Sequence, residues 1–165
     1  MSRQDSAGQQ ELPWISQEWI TRTRLLLDSY HTFVGRQLID RQSPQADSRA
    51  LFEASFVTVA HGTEADPLLN YGNSAALQLW QMPLNELIGT PSRQTAEPVH
   101  RDERAELLRR TRKHGFIDDY SGIRISSTGQ RFRIHQATVW NVVNETGEYV
   151  GQAAAFSDWT MLPEA

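Results

Sequence analysis

The sequence predicts an α+β domain in which a five-stranded antiparallel sheet carries helices on one face and follows a long N-terminal amphipathic helix. Two strand-like segments precede a run of helices and three follow it, an order that excludes alternating βαβ units. The last three segments are separated only by tight turns, which indicates antiparallel pairing. The length of 165 residues, 39% of them hydrophobic, suits one domain with a single core.

The first element is a helix expected over residues 16–41. Ser16 is a favourable N-cap, and Glu18 places negative charge in the first turn, where the helix dipole favours it. We expect residues 1–15, which are mostly polar and small, to be flexible. Apolar residues in the helix recur in pairs seven apart and lie on one face. This apolar stripe consists of Trp19, Ile20, Leu26, Leu27, Tyr30, Phe33 and Val34.

The apolar stripe has two interpretations, and the sequence leaves both open. It can cover the open side of its own domain, or part of it can pack against the same helix of a second subunit. In the second case its seven residues form the interface of a homodimer. Only about three heptads are present, so the main domain would have to supply further contacts.

Residues 42–48 are predicted to be a linker, because the run Gln-Ser-Pro-Gln-Ala-Asp-Ser has the composition of a turn or loop. Residues 16–48 then form a helix and linker, and residues 49–162 form the main domain. Its first strand is expected over residues 52–60, which are rich in Phe and Val. A short second strand is expected over residues 68–71.

Three helical segments follow the second strand. Asn73 is positioned to cap a helix over residues 74–81, and residues 83–90 have room for one more turn. A longer helix is expected over residues 101–114, because its start is acidic, its end is basic and Gly115 follows as a C′ residue. Strands are then expected over three ranges: 116–126, 130–141 and 148–159.

The order of these motifs between residues 52 and 160 resembles that of a PAS domain. The run from residue 66 to residue 76 resembles the second strand of that fold leading into an Asn-capped helix. The sequence Leu-Asn-Glu-Leu-Ile-Gly at residues 84–89 resembles its x-E-L-x-G turn, and Ser-Asp-Trp-Thr at residues 157–160 resembles its closing Asp-x-Thr. The resemblance implies a PAS-like sheet with helices on one face.

More narrowly, the chain is similar to the MEKHLA domain family, a PAS-related module. The segments that carry this similarity are 52–62, 70–77 with Trp80, 98–104, and 115–117 with 120–124. Membership implies sensing, ligand binding or self-association, and it brings no catalytic residues with it.

A ligand pocket is expected between the sheet and the short helices. Strict alternation along residues 131–141 turns one side of that strand toward the helices, and a glutamine lies on each of two neighbouring strands. The alternative is that these glutamines bond to each other or to the backbone inside a closed core. The candidate pocket residues are Tyr71, Trp80, Phe132, Ile134, Gln136, Trp140, Gln152 and Phe156.

The sequence does not favour a known cofactor. With 0 cysteines, the chain has no thiolate nucleophile, no Cys-based zinc site and no residue for a cysteinyl adduct with a flavin. The isolated residues His61, His100 and His114 are a poor signal for haem, and no metal-ligand spacing is present. We therefore predict no metal and no established cofactor, and keep an unidentified small molecule as the ligand.

Catalysis, nucleic acid and membrane partners are not expected. Asp118 and Asp119 are adjacent on a strand and point to opposite faces, and pairing of Glu97 with His100 is a weak signal for acid–base chemistry. The net charge of -4 gives no footprint for nucleic acid. Because no signal sequence or apolar span is found, we expect a cytoplasmic protein.

These observations predict a PAS-like sensory or ligand-binding module without catalytic activity that signals through, or associates by, its N-terminal helix. The alternative is a homodimerisation module with no ligand. A third possibility is a small enzyme of unknown reaction, which would need a cleft containing a base and a nucleophile.

Overall fold

The structure, a computed structural model, describes residues 12–163. Within that range five α-helices and six strands follow one another, with short 3₁₀ turns between some of them. In chain order they are α1 (Gln17–Val34), α2 (Pro44–Glu53), β1 (Val57–His61), β2 (Leu69–Gly72), α3 (Ser74–Trp80), α4 (Leu84–Leu87), α5 (Arg101–His114), β3 (Phe116–Ile125), β4 (Arg131–Val143), β5 (Tyr149–Phe156) and β6 (Asp158–Met161).

The strands form one antiparallel sheet in the order β2-β1-β5-β4-β3, with β6 paired to β4. The predicted α+β class with an antiparallel sheet is confirmed. The last predicted strand, 148–159, divides at Ser157. Strand β5 pairs with the second half of β4, from Thr138 onward, and β6 pairs with the first half, from Phe132 to His135. One edge of β4 is thus shared between two strands.

Helix α1 begins at its predicted cap and ends earlier than predicted. The Ser16 Oγ accepts a hydrogen bond of 3.1 Å from the Trp19 N–H. The helix ends at Gly35, which has a φ of 87° in the left-handed region. A glycine adopts this conformation without a steric penalty, so the chain turns there and the predicted helix end at residue 41 is wrong.

The predicted linker at residues 42–48 is also wrong, because most of it forms the start of α2. Ser43 caps that helix by accepting a hydrogen bond of 3.1 Å from the Ala46 N–H, and Pro44 occupies the first turn. Proline suits this position because its missing N–H would have no partner there. The helix continues through Phe52, so β1 starts at Val57 and not at residue 52.

Of the segment predicted to be flexible, residues 1–11 lie outside the described residues, and Pro13–Ile15 form a 3₁₀ turn.

Helices cover both faces of the sheet. On the outer face, α1 and α2 pack over Tyr71, Trp140 and Ala153. On the inner face, α3 packs over Phe132 and Ile134, and α5 packs against β3. Helix α1 therefore covers the open side of its own domain, as the first interpretation of the apolar stripe predicts.

The apolar stripe is consequently not an exposed dimer interface. Of its seven residues, Phe33 and Val34 are half-buried and the other five are buried within their own chain, with Leu26 and Leu27 at most 1% exposed. A partner could reach the five buried side chains only if α1 left the sheet. The prediction of an interface at Trp19, Ile20, Leu26, Leu27, Tyr30, Phe33 and Val34 is corrected accordingly.

Candidate functional site

A cavity of about 70 Å³ lies between the inner face of the sheet and the helices that cover it. Its apolar wall comes from the central strands, where Ile134, Val139 and Phe156 contribute side chains. Its polar side comes from other elements and includes His61, Ser92, Arg104, Tyr120, Arg124 and Gln152. An apolar wall with a few converging polar groups is the usual composition of a small-molecule site.

Four of the eight predicted pocket residues line this cavity: Trp80, Ile134, Gln152 and Phe156. Phe132 is fully buried behind it, with its ring 5.2 Å from that of Trp80 in a T-shaped arrangement. The remaining three, Tyr71, Gln136 and Trp140, lie elsewhere. Their placement has two separate causes, one in β4 and one in β2.

Two of the errors come from a break in the alternation of β4. Gln136 has a φ of 48° and is exposed, whereas strict alternation predicts it to face the cavity. The irregular residue shifts the phase of the strand, so Ala137 and Val139 face the cavity and Trp140 faces α1. The predicted pair of pocket glutamines therefore does not exist.

Tyr71 lies on the outer face because it pairs with Ala60, an outer-face residue of β1. Its ring stacks on that of Trp19 with centroids 4.8 Å apart. Burial raises the pKa of the Tyr71 hydroxyl, which stays protonated under all ordinary conditions. Tyr71 is thus part of the contact between α1 and the sheet, and its predicted place in the pocket is corrected.

Gln152 lines the cavity, as one interpretation of the sequence predicts, and is also hydrogen-bonded within the core, as the alternative predicts. It is 2% exposed and lines the cavity. Its Nε2 donates hydrogen bonds of 2.9 Å to the Leu108 carbonyl oxygen and 3.1 Å to Asn141 Oδ1. The side chain is therefore satisfied, and it ties α5 to β4 and β5.

Two arginines that the sequence analysis did not select lie in the cavity wall. Arg104, on α5, is 8% exposed and donates a hydrogen bond to Ser92 Oγ. Arg124, on β3, is 7% exposed and donates a hydrogen bond of 3.0 Å to the Ile123 carbonyl oxygen. Burial lowers the pKa of Arg104 to about 10, and the positive charge of Arg124 acts in the same direction.

Neither arginine has a carboxylate partner among residues 12–163 within the 4.0 Å that defines an ion pair. A sequence signal existed for Arg104, since it shares a helix face with the buried residues Leu107 and Thr111 at spacings of three and seven. For Arg124 no comparable signal was available, because β3 is irregular near Tyr120.

Three residues that line the cavity each have a buried polar atom with no hydrogen-bond partner within the described residues. The atoms are His61 Nε2, Trp80 Nε1 and the Tyr120 hydroxyl. The other ring nitrogen of His61, Nδ1, lies 3.0 Å from the Gly62 carbonyl oxygen. That contact requires an N–H on Nδ1, so in the neutral ring Nε2 is an acceptor. Burial lowers the pKa of His61, which favours the neutral ring.

The acid–base pairs considered from the sequence are not assembled at the cavity. Asp118 and Asp119 are exposed on β3. The Glu97 carboxylate lies 3.9 Å from Arg131 Nε. Across residues 12–163, no three His, Asp or Glu side chains gather as metal ligands, and each helix is too short or too polar to cross a bilayer.

Solved structures with the same fold are PAS-type domains. The PAS domain of a protein from Colwellia psychrerythraea has a TM-score of 0.58 at 12% identity, covering 72% of this chain and 95% of that one. An RNA-binding light-oxygen-voltage receptor has a TM-score of 0.57 at 18% identity, covering 70% of this chain and 32% of that one. A light-oxygen-voltage domain solved with a flavin analogue has a TM-score of 0.53 at 19% identity, with 72% and 86% covered. Similarity at these identities establishes the fold alone.

A curated relative is the homeobox-leucine zipper protein ATHB-9 of Arabidopsis thaliana. It is 26% identical to this chain over 161 residues, which are 94% of this chain and 19% of ATHB-9. The chain thus spans about a fifth of that protein's length. The sequence profile of the MEKHLA domain matches residues 20–161, from within α1 to the end of β6. The resemblance inferred from the motifs is confirmed, and the chain belongs to the MEKHLA domain family.

Proposed function

We propose that this chain is a sensory module that binds a small molecule in the cavity and transmits its occupancy across the sheet to α1. The observation that carries the proposal is the group of three unpaired buried polar atoms around one cavity, on His61, Trp80 and Tyr120. A buried polar atom without a partner costs about 1–3 kcal/mol, so such atoms are rare in folded proteins. A ligand toward which these side chains turn would satisfy them.

The route to α1 is short, because neighbouring residues of β5 serve the two faces of the sheet. Gln152 lines the cavity, and Ala153 packs in the cluster beneath α1. Helix α1 is joined to β4 by two hydrogen bonds between Ser29 and Val143, of 3.2 and 2.9 Å. A ligand that shifts β5 would therefore change the surface on which α1 rests, which is the differential contact that a switch requires.

A flavin does not fit this cavity. Its volume of about 70 Å³ is well below the roughly 300–1,000 Å³ of sites that hold drug-sized ligands. The three fused rings of a flavin need a site of that larger size. The chain also has 0 cysteines, so the adduct expected of a thiol photoreceptor has no residue to form on. The proposed ligand is much smaller than a flavin.

We propose binding without catalysis, since the cavity wall has no carboxylate and its imidazole acceptor, His61 Nε2, has no nucleophile as a hydrogen-bond partner within the described residues. Homodimerisation, the alternative function, would require a surface other than the apolar stripe, because α1 buries that stripe on its own sheet. The mass measured in the experiment below reports the oligomeric state as well.

The test combines native mass spectrometry of protein purified from its own host with thermal unfolding in the presence of a metabolite library. We expect a retained small molecule, or at least one compound that raises the melting temperature. The variant Ala137→Leu fills the cavity and should abolish that stabilisation. Ala105→Leu, on the exposed face of α5, is the matched control and should retain it. If no compound is retained or stabilises the protein, the proposed function is wrong.

A further inference from the structure

The two cavity arginines come from elements far apart in sequence, and their charges act on each other. Arg104 lies on α5 and Arg124 on β3, and more than nine-tenths of each side chain is buried. The positive charge of Arg124 is among the causes that lower the pKa of Arg104. Two like charges therefore share a region shielded from solvent, where their repulsion is stronger than it would be in water.

No carboxylate among residues 12–163 pairs with these arginines, and the Tyr120 ring, 5.3 Å from the Arg124 guanidinium carbon, is an uncharged cation–π partner. The carboxylate with the largest effect on Arg104 is that of Asp66, which acts through space. It is half exposed and forms an ion pair of 3.1 Å with Arg93. Because a buried charge without a partner is strongly unfavourable, a persistent pair of buried arginines implies an anion from outside the chain.

The hydrogen bonds of the arginines lead to the same conclusion. A guanidinium has five N–H donors. Within residues 12–163, Arg104 forms one side-chain hydrogen bond, to Ser92, and Arg124 forms one, to the Ile123 carbonyl oxygen. The remaining donors keep the fork geometry that matches the two oxygens of a carboxylate. Tyr120, whose buried hydroxyl has no partner in the described residues, lines the same wall.

The rest of the cavity is apolar. Ile134, Val139 and Phe156 form a wall that offers a ligand contact area but no hydrogen bonds. At about 70 Å³, the cavity suits a small anionic group joined to a short apolar body. Inorganic anions would leave the apolar wall uncovered, and neutral compounds would leave the arginines unpaired.

We propose that the ligand of this domain is a short carboxylate, with its anionic group held by Arg104 and Arg124 and its apolar body against Ile134, Val139 and Phe156. This inference rests on the proposed function, since it assumes that the cavity binds a ligand. It adds the chemical class of that ligand and the residues that recognise it.

The test compares three probes in calorimetric titrations and thermal unfolding: butyrate, its neutral isostere butyramide, and inorganic phosphate. We expect butyrate to bind at least about tenfold more tightly than butyramide, since charge-assisted hydrogen bonds to the arginines are stronger than those of a neutral amide. Phosphate should bind more weakly than butyrate and should be unaffected by Ala137→Leu, because it has no apolar body to place in the cavity.

Substitution of the arginines gives the second arm. Arg104→Met and Arg124→Met should each weaken butyrate binding at least about tenfold. Each should also leave the melting temperature of the ligand-free protein unchanged or raised, because each removes a buried charge that has no carboxylate partner. The matched controls Arg110→Met on α5 and Arg133→Met on β4, both exposed, should bind butyrate as the unchanged protein does. If one buried-arginine variant does not fold, the other completes the test.

The outcomes separate this inference from the proposed function. Equal binding of butyrate and butyramide, lost in Ala137→Leu, would overturn the carboxylate while leaving the cavity as a ligand site. Phosphate binding that matches butyrate would show an anion site without an apolar pocket and would also overturn it. A neutral or cationic molecule retained in native mass spectrometry would do the same. Absence of any ligand in the library screen contradicts the proposed function itself.

Discussion

The indole Nε1 of Trp140 donates a hydrogen bond of 3.2 Å to the Leu26 carbonyl oxygen and so joins α1 to the sheet. The Tyr30 ring packs edge-on against the same indole, with centroids 4.9 Å apart. The opposite face of β4 lines the cavity through Ile134 and Val139. One strand thus contacts both the proposed ligand site and the helix that is proposed to respond to it.

We predict that Trp140→Phe lowers the free energy of unfolding by about 1–2 kcal/mol, because the hydrogen bond to Leu26 and part of the packing are lost. Urea unfolding measures this. In hydrogen exchange, protection in α1 should fall more than protection in α5. The control is Trp159→Phe, a half-buried tryptophan on β6 away from α1. Equal loss of protection in both helices would show that Trp140 does not anchor α1 specifically.

Asn73 should be among the least replaceable polar residues of the chain. It is fully buried, and its Oδ1 accepts hydrogen bonds from the Thr58 N–H (3.0 Å) and the Ala76 N–H (3.2 Å). Its Nδ2 donates to the carbonyl oxygens of Leu51 (3.1 Å) and Phe56 (2.8 Å). One amide therefore connects α2, β1 and α3.

We predict that Asn73→Ala lowers the free energy of unfolding by about 3 kcal/mol or more, since several buried backbone groups lose their partner at once. Ser43→Ala removes an exposed cap and should cost only about 1 kcal/mol. Denaturant unfolding of both variants gives the comparison. Similar losses in the two variants would mean that Asn73 acts only as a helix cap.

Gly151 of β5 lies close to the backbone of His61 at the end of β1. A β-carbon there would lie 2.0 Å from the His61 carbonyl oxygen, and its φ of 154° is one that other residues rarely adopt. Gly151→Ala should therefore lower the free energy of unfolding by more than about 2 kcal/mol. Gly147→Ala is the control: its φ of 85° is also positive, but no atom lies within 4 Å of the added carbon. That variant should lose only about 1 kcal/mol, and a smaller loss at Gly151 than at Gly147 would contradict the backbone contact.

His61 should make stability depend on pH. Burial lowers its pKa below the ordinary value of 6.5, and Arg104 and Glu64 are the charged groups that act on it. As the pH falls below 6.5, the unfolded chain binds the proton before the folded chain does, so stability is lost in this window. Between about pH 7.5 and about pH 5.5, the unmodified protein should lose more unfolding free energy than His61→Gln. If the free energy of unfolding changed with pH in the same way in both proteins, His61 would be excluded as the cause of the pH dependence.

Local chemistry in the sequence was sufficient for several elements. Helix α5 has the predicted bounds, because acidic residues at its start, basic residues at its end and Gly115 act within a few residues of each helix end. The helix cap at Asn73 could be predicted from the sequence equally well. The Ser43-Pro44 signal was present as well, but the same dipeptide is common in turns, and only the packing of Leu51 and Phe52 beneath α1 makes it a helix start.

The candidate site could be predicted only in part. Ile134 and Phe156 follow from alternation, which holds while a strand is regular. Trp140 was predicted on the wrong face because a single irregular residue, Gln136, shifts the alternation of β4. No local sequence pattern indicates this irregularity. The irregular residue lies between the part of β4 that pairs with β6 and the part that pairs with β5.

The sequence by itself determined the α+β class and the antiparallel meander, since turns, caps and alternation depend on residues close along the chain. The order of its motifs also identified the family. The tertiary structure decided that α1 covers its own sheet and that Arg104 and Arg124 share one cavity. A side chain's environment is set by elements distant in sequence, so the cost of burying two positive charges becomes visible only when α5 lies over β3.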